Sequence, residues 1–204
     1  MITLKYGNTN TYYLKGKQGG LLIDTDYAGT MPGFYRAIKY AGITMSDISH
    51  VIATHYHPDH MGIVGNLQEH GVKLIIVDVQ MDSIHFSDAI FAREKHLRYT
   101  PINENRADVI NCKESRSLLG NIGISGEIIR TSSHSSDSIS IILDDGDCFV
   151  GDLEPIEYLD AYDNNPALQK DWDELMKYDP KHIYYAHRGR GSDISNLLIA
   201  SVLM

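Results

Sequence analysis

The chain is built from short apolar blocks whose period changes from place to place. Thr11–Leu14 and Leu21–Asp24 read as two strands, and the glycine-bearing stretch Lys-Gly-Lys-Gln-Gly-Gly between them suits a hairpin. Thr30 is placed to cap a helix, Pro32 falls in its first turn, and Phe34, Ala37, Ile38 and Ala41 share one helical face until Gly42 stops it. His50–Thr54 reads as a short strand, the stretch from Gly62 to about Gly71 as a helix, and Lys73–Val77 as another strand. This alternation of strand and helix predicts a layered α/β core.

From residue 80 the pattern weakens. Asp82–Tyr99 carries Phe86, Ala89, Ile90 and Leu97 at helical spacing, but the chain from there to about Asn121 is polar and irregular. Residues 82–120 therefore read as an insertion covering one face of the core, placed to act as a lid. Regular structure returns with strands at Glu127–Arg130, Ser138–Leu143 and Cys148–Gly151, the last two joined by the hairpin signal Asp-Asp-Gly-Asp. A helix at Ala167–Lys177, a strand at His182–Tyr185 and a strongly apolar helix at Ser192–Met204 close the chain. The last of these is a candidate seam for a homodimer. With no linker or low-complexity tract, one domain over residues 1–204 is expected.

Composition narrows the function. At 204 residues the chain is long enough to bury its own core. Eighteen Lys and Arg against 27 Asp and Glu leave a net charge of −9, which repels phosphate backbones and argues against a nucleic-acid partner. Two cysteines, Cys112 and Cys148, are too few for a disulfide framework and lack metal-type spacing. The opening residues carry no signal-peptide pattern, and no stretch approaches the roughly 20 apolar residues of a membrane span. A soluble, cytoplasmic protein with free thiols and no membrane partner is the expectation.

Chemistry concentrates at residues 54–62, Thr-His-Tyr-His-Pro-Asp-His-Met-Gly, directly after the apolar run Val51-Ile52-Ala53. If the strand extends through His55 and His57, both point to one face. Pro58 then turns the chain and offers Asp59 and His60 at the start of a helix. Imidazoles and carboxylates in such density suit zinc, iron or manganese. Three further residues sit at strand exits: His134 before Ser138–Leu143, Asp152 after Cys-Phe-Val-Gly, and His187 after Ile-Tyr-Tyr-Ala.

The order His-x-His-x-Asp-His, then His, Asp and His at strand ends, resembles the metallo-β-lactamase superfamily. The likeness runs from Leu21-Leu22-Ile23-Asp24-Thr25 to Ala186-His187-Arg188-Gly189. It implies a four-layer αββα sandwich with the site at one edge of the two sheets. It also implies two divalent metal ions, zinc by preference with iron or manganese as alternatives. One ion would take His55, His57 and His134; the other would take Asp59, His60 and His187, and Asp152 would bridge them. Asp24 matches the carboxylate that orients the site from behind the ligands. The remaining histidines, His50, His70, His85, His96 and His182, have no motif partner.

The resemblance implies a metal-dependent hydrolase that cleaves a small-molecule ester, lactone, thioester or amide through a metal-bridging hydroxide, with Asp59 and Asp152 steering its proton. Only 17 residues follow His187, too few for the helical domain of the glutathione-thioester hydrolases of this superfamily. The basic exosite of its nucleases and the export signal of its secreted β-lactamases are absent as well. A phosphodiesterase on the same two metals, a mononuclear iron enzyme resembling the persulfide dioxygenases, and a non-catalytic metal-bound effector stay open. Tyr56, Tyr158, Tyr162, Tyr184 and Tyr185 lie near the motifs as candidate oxyanion donors, and Arg188 and Arg190 as contacts for an anionic substrate.

Overall fold

A computed structural model describes residues 1–159 and 165–188. Six strands form one sheet in chain order: β1 (Ile2–Leu4), β2 (Thr11–Lys15), β3 (Gly20–Ile23), β4 (Ile48–Ile52), β5 (Lys73–Val77) and β6 (Ala107–Ile110). The first three pair antiparallel, and β3 through β6 run parallel. The second sheet has four strands, β7 (Gly126–Arg130), β8 (Ile139–Leu143), β9 (Asp147–Gly151) and β10 (His182–Tyr185), in the order β10-β9-β8-β7. Here β7 and β9 flank β8 antiparallel, while β10 runs parallel to β9.

The helices are α1 (Met31–Tyr40), α2 (Pro58–Met61), α3 (Val64–Glu69), α4 (Asp88–Phe91), α5 (Ser115–Ile122) and α6 (Pro166–Met176). Each strand buried on both faces reads as a continuous apolar run, as in Leu-Ile-Ile-Val of β5. One face of the first sheet packs Leu22, Val51, Leu74 and Ile76 against Phe34 and Ile38 of α1 and Leu67 of α3. Its other face sets Ile23, Ile52 and Ile75 against Ile128, Ile141 and Phe149 of the second sheet. The far face of the second sheet packs Ile142, Cys148 and Ile183 under Leu168, Trp172 and Leu175 of α6. The result is the αββα sandwich expected, two mixed sheets between helical layers.

This topology decides where a site forms. Strands β7 and β9 are both antiparallel to β8, so they point the same way, and β10 follows β9. Their carboxyl ends therefore share one edge of the second sheet. The carboxyl ends of parallel β3 and β4 share one edge of the first. Backbone bonds join the two edges: Ile139 N donates to Thr54 O at 2.9 Å, and Asn10 N to Ala186 O at 2.7 Å. Carboxyl ends of parallel strands are the usual place for a ligand in open α/β sheets.

Several sequence expectations change. The tract expected to be irregular up to Asn121 contains β6, which extends the first sheet, and α5, whose Leu119 and Ile122 enter the core between the sheets. The part of the expected insertion from residue 107 onward is thus woven into the framework. The single helix expected over Asp82–Tyr99 is instead a set of short turns around the four-residue α4. Strand β4 stops at Ile52, so His55 and His57 lie in the loop beyond it and not on a common strand face. His57 is held extended, with φ −67° and ψ 152°, as the residue before a proline must be. The C-terminal helix expected at Ser192–Met204, Arg190 and Tyr162 lie outside the described residues. Among the described residues no helix is long and apolar enough to cross a membrane, and both cysteines are free.

Candidate metal centre

The loop after β4 is fastened before it reaches its first histidine. Gln80, fully buried, donates Nε2 to Ala53 O at 3.0 Å, Thr54 O at 3.4 Å and Asp137 O at 3.2 Å. Asp137 in turn accepts from Tyr56 N at 2.8 Å. Asp24 follows β3 with a left-handed backbone, φ 58°, a conformation that aspartate tolerates better than most residues. Its carboxylate accepts from Thr54 N at 2.6 Å and from Thr54 Oγ1 at 2.9 and 3.0 Å. Thr25 holds the other end of the motif, donating N and Oγ1 to His60 O at 2.9 and 3.1 Å.

Two glycines make the approach possible. A side chain at Gly62 would strike the backbone of Asp26, Tyr27 and Ala28, against which α2 docks. Gly151 has φ 58°, and a Cβ there would collide with Thr54 Oγ1 and lie 2.8 Å from Thr54 Cβ. The strand end carrying Asp152 therefore seats directly on the residue that precedes His55.

The structure brings together all seven residues named from the sequence. His55 Nε2 lies 3.0 Å from His57 Nδ1, and His134 Nε2 lies 3.2 Å from that same His57 atom. On the other side, His187 Nε2 is 3.2 Å from Asp59 Oδ2, and His60 Nε2 is 3.9 Å from Asp59 Oδ1. Asp152 stands between the two trios. Its Oδ2 is 3.3 Å from His60 Nε2, 3.8 Å from His134 Nε2 and 4.0 Å from His55 Nε2, while Oδ1 is 3.4 Å from His187 Nε2. Three overlapping groups, His55–His57–His134, His55–His60–Asp152 and Asp59–His60–His187, each keep their donor atoms within 4.8 Å of one another.

These spacings fit cations. A metal held tetrahedrally at about 2.0–2.1 Å by nitrogen separates its ligand atoms by roughly 3.3 Å. His60 is fully buried, yet neither of its ring nitrogens makes an aligned hydrogen bond among the described residues. Its Nδ1 lies 3.2 Å from Asp24 Oδ2, within ion-pair range, and its Nε2 faces the ligand set. An orphaned, buried nitrogen aimed at carboxylates and imidazoles is a ligand position in chemical terms. Five imidazoles and two carboxylates without a thiolate suit zinc, iron or manganese.

Electrostatics agree. Burial opposes a proton on His60, but the charge of Asp24 and the contacts to Asp152 outweigh it and lift its pKa to about 10. Cation binding at Nε2 must therefore release a proton. His55 is driven well below the ordinary value, first by burial and then by His60, His57 and the other rings, so it stands as a neutral donor. His134 is lowered by burial too. Although burial favours its neutral form, the surrounding histidines, His60 first, keep Asp152 ionised and below the usual carboxylate range.

Around the ligands, Phe86 is 59% exposed and sets its ring 5.8 Å from that of His57. A cleft of about 420 Å³ is lined by Ser133, His134, Glu154 and Asn165. Asp171 of α6 accepts from Ser133 N at 2.6 Å and so sets the loop carrying His134. The candidate tyrosines divide between packing and the surface. Tyr56, Tyr184 and Tyr185 are buried packing residues. Tyr158 accepts from Arg188 Nη2 at 2.8 Å, with the guanidinium 5.2 Å over its ring. Four of the five unassigned histidines pair elsewhere: His50 with Ser49, His70 with Tyr35, His85 with Asp88 and Glu104, His182 with Asp147. Sequence reasoning missed Gln80 and Asp137. Asp137, three residues after His134, offered a positional hint; Gln80 offered none.

The metallo-beta-lactamase superfamily profile matches residues 4–187, a span that contains every one of the seven donors. The chain belongs to the metallo-beta-lactamase superfamily. Solved structures repeat the fold at low identity. A metallo-beta-lactamase family protein from Thermus thermophilus superposes with TM-score 0.69 at 18% identity, covering 96% of this chain and 74% of that one. A protein solved in a di-iron-bound form gives 0.68 at 20% identity, covering 93% and 92%. The metallo-beta-lactamase GOB-18 from Elizabethkingia meningoseptica gives 0.62 at 18% identity, covering 92% and 77%. Membership in the metallo-beta-lactamase superfamily implies divalent-metal binding and hydrolase-type chemistry.

Proposed function

We propose that the protein is a dinuclear metallo-hydrolase, zinc by preference, that cleaves an ester, lactone, thioester or amide bond in a small molecule. The observation that supports this most is the position of Asp152 between two donor trios, with one oxygen nearest His60 and the other nearest His187. His55, His57 and His134 would hold one ion; Asp59, His60 and His187 the other. When bound, such a pair lowers the pKa of a water toward neutrality and polarises the oxygen of the bond to be cut.

The chain's own groups supply the rest. Asp59 is 39% exposed at its side chain, open enough to take the proton of the attacking water and return it to the leaving group. Asp24 holds His60 from behind and leaves its Nε2 free to bind. Phe86 offers an apolar wall to an acyl group, and the cleft at Ser133, Glu154 and Asn165 takes the departing half. The −9 charge and the engagement of Arg188 by Tyr158 favour an uncharged carboxylic substrate over a phosphodiester or nucleic acid. A cytoplasmic setting and a small-molecule partner complete the proposal.

Replacing Asp152 with alanine tests it. Hydrolysis of an aryl ester and an aliphatic lactone is expected to fall to background, with bis(p-nitrophenyl) phosphate as comparator. Full ester turnover in Asp152→Ala would sink the two-metal mechanism. Faster cleavage of the phosphodiester by the wild-type chain would move the assignment to phosphorus.

A further inference from the structure

The seven donors are held by two sheets that must stay in register, and His187 is the most exposed to misplacement. It follows β10, which has a strand neighbour on one side only in the described sheet, and the ladder to β9 shifts register between Tyr184 and Tyr185. On the β9 side the ladder ends at Tyr185 opposite Gly151, and Ala186 N donates to Gly151 O at 3.0 Å just before the ligand. The other side is held by residues far away in sequence. Asn10, 2% exposed in the loop between β1 and β2, donates Nδ2 to Tyr185 O at 2.9 Å and to Arg188 O at 2.6 Å. Its backbone N donates to Ala186 O at 2.7 Å, and Tyr12 Oη to Tyr185 O at 2.7 Å.

Three carbonyls flanking His187 are thus gripped from the first sheet. The grip uses only the donor end of the amide, since Asn10 Oδ1 is buried with no hydrogen-bond partner among the described residues. The neighbouring residue does the same for another ligand: Thr9 donates Oγ1 to Asp59 O at 2.7 Å, while Thr9 N is itself held by Asp26 Oδ2 at 2.9 Å. Asp59 and His187 come from different sheets and belong to one donor trio. Neither Thr9 nor Asn10 contributes an atom to that trio.

We infer that the Thr9–Asn10 segment is a positioning element for the second metal half-site, with Asn10 as the residue that sets His187. This rests on the dinuclear reading above. Asparagine suits the task because one nitrogen carries two hydrogens that reach two carbonyls at once. Aspartate, of the same shape, turns lone pairs toward those carbonyls and loses both bonds.

The experiment is calorimetric titration of metal-free wild-type, Asn10→Asp and Asn10→Ala protein with zinc. The second ion is expected to bind about 10–100-fold more weakly in both variants, while the first, at His55, His57 and His134, changes by less than about threefold. Ile141→Val, a core change away from the donors, is the control for general destabilisation and should leave the ratio of the two affinities unaltered. Equal weakening of both ions, or of neither, overturns the assignment. Should the Asn10 variants fail to fold, Tyr12→Phe removes one donor to Tyr185 O and carries the same expectation at smaller amplitude. If the wild-type chain takes one ion only, the dinuclear reading fails separately. Asn10 is then judged in metal-free protein by the His187 ring resonances and the exchange rate of the Ala186 amide: movement in Asn10→Asp supports the positioning role, and unchanged signals refute it.

Discussion

At the scale of single residues, the centre depends on contacts that allow no extra atoms. Gly151 combines a left-handed backbone with an approach to Thr54 that leaves no room for a Cβ, and Thr54 both donates to Asp24 and precedes His55. Gly151→Ala is expected to cost about 1–2 kcal/mol from backbone strain alone. The collision with Thr54 should also shift Asp152 and His55 apart, and a displacement near 1 Å costs on the order of a hundredfold in turnover. Thermal melting and steady-state ester hydrolysis check the two parts independently. Loss of stability with unchanged kcat would mean that the Gly151–Thr54 approach does not set the donor geometry. The residue scale is also where the sequence was most readable. His55, His57, Asp59 and His60 crowd into six positions, and His134, Asp152 and His187 each follow a strand. Asn10 and Gln80 were invisible because their value lies in bonds to partners far along the chain, 178 residues away for Asn10 and Arg188.

At the scale of elements, the loops between strands do the positioning. Gln80 ties the loop after β4 to the loop before β8 through three carbonyls. Gln80→Leu keeps the volume but strands those acceptors, and a loss of about 1–3 kcal/mol in unfolding free energy is expected by denaturant titration. A second element-level device is His85, whose ring bridges Glu104 at 2.8 Å and Asp88 at 2.9 Å. Glu104 first, then Asp88, favour the charged ring and raise its pKa above the ordinary value. Its contribution to stability is therefore complete below about pH 6.5 and lost as pH rises through the folded-state pKa. The ring is largely exposed, so the effect is small: His85→Asn should lower Tm by no more than about 3 °C at pH 6 and by nothing at pH 9. A larger deficit at the alkaline end would contradict the assignment. Strands such as β5 and β8 were legible because their apolar runs are bounded by turn residues. The edge strands β1 and β6 were not. They are three and four residues long and lie partly in solvent, so their pattern is set by pairing with a neighbour rather than by local preference.

At the scale of the whole molecule, two mixed sheets converge their strand ends on one edge, and the candidate metal centre is where the two edges meet. The alternation of strands and helices pointed to an α/β core and the family resemblance to the layer order, but which strands share an edge depended on the antiparallel placement of β8 between β7 and β9. Two buried imidazoles, His55 and His60, crowded by three more beside carboxylates are an expensive arrangement without a cation. Metal and folded framework should therefore stabilise each other, and a metal in thousandfold excess over its dissociation constant adds about 4 kcal/mol. The most direct test of the dinuclear centre is the rate of aryl-ester hydrolysis as zinc is added stepwise to metal-free protein. Turnover that rises to a plateau at two equivalents per chain is the predicted result. A plateau at one equivalent, or metal uptake with no hydrolysis, would contradict it.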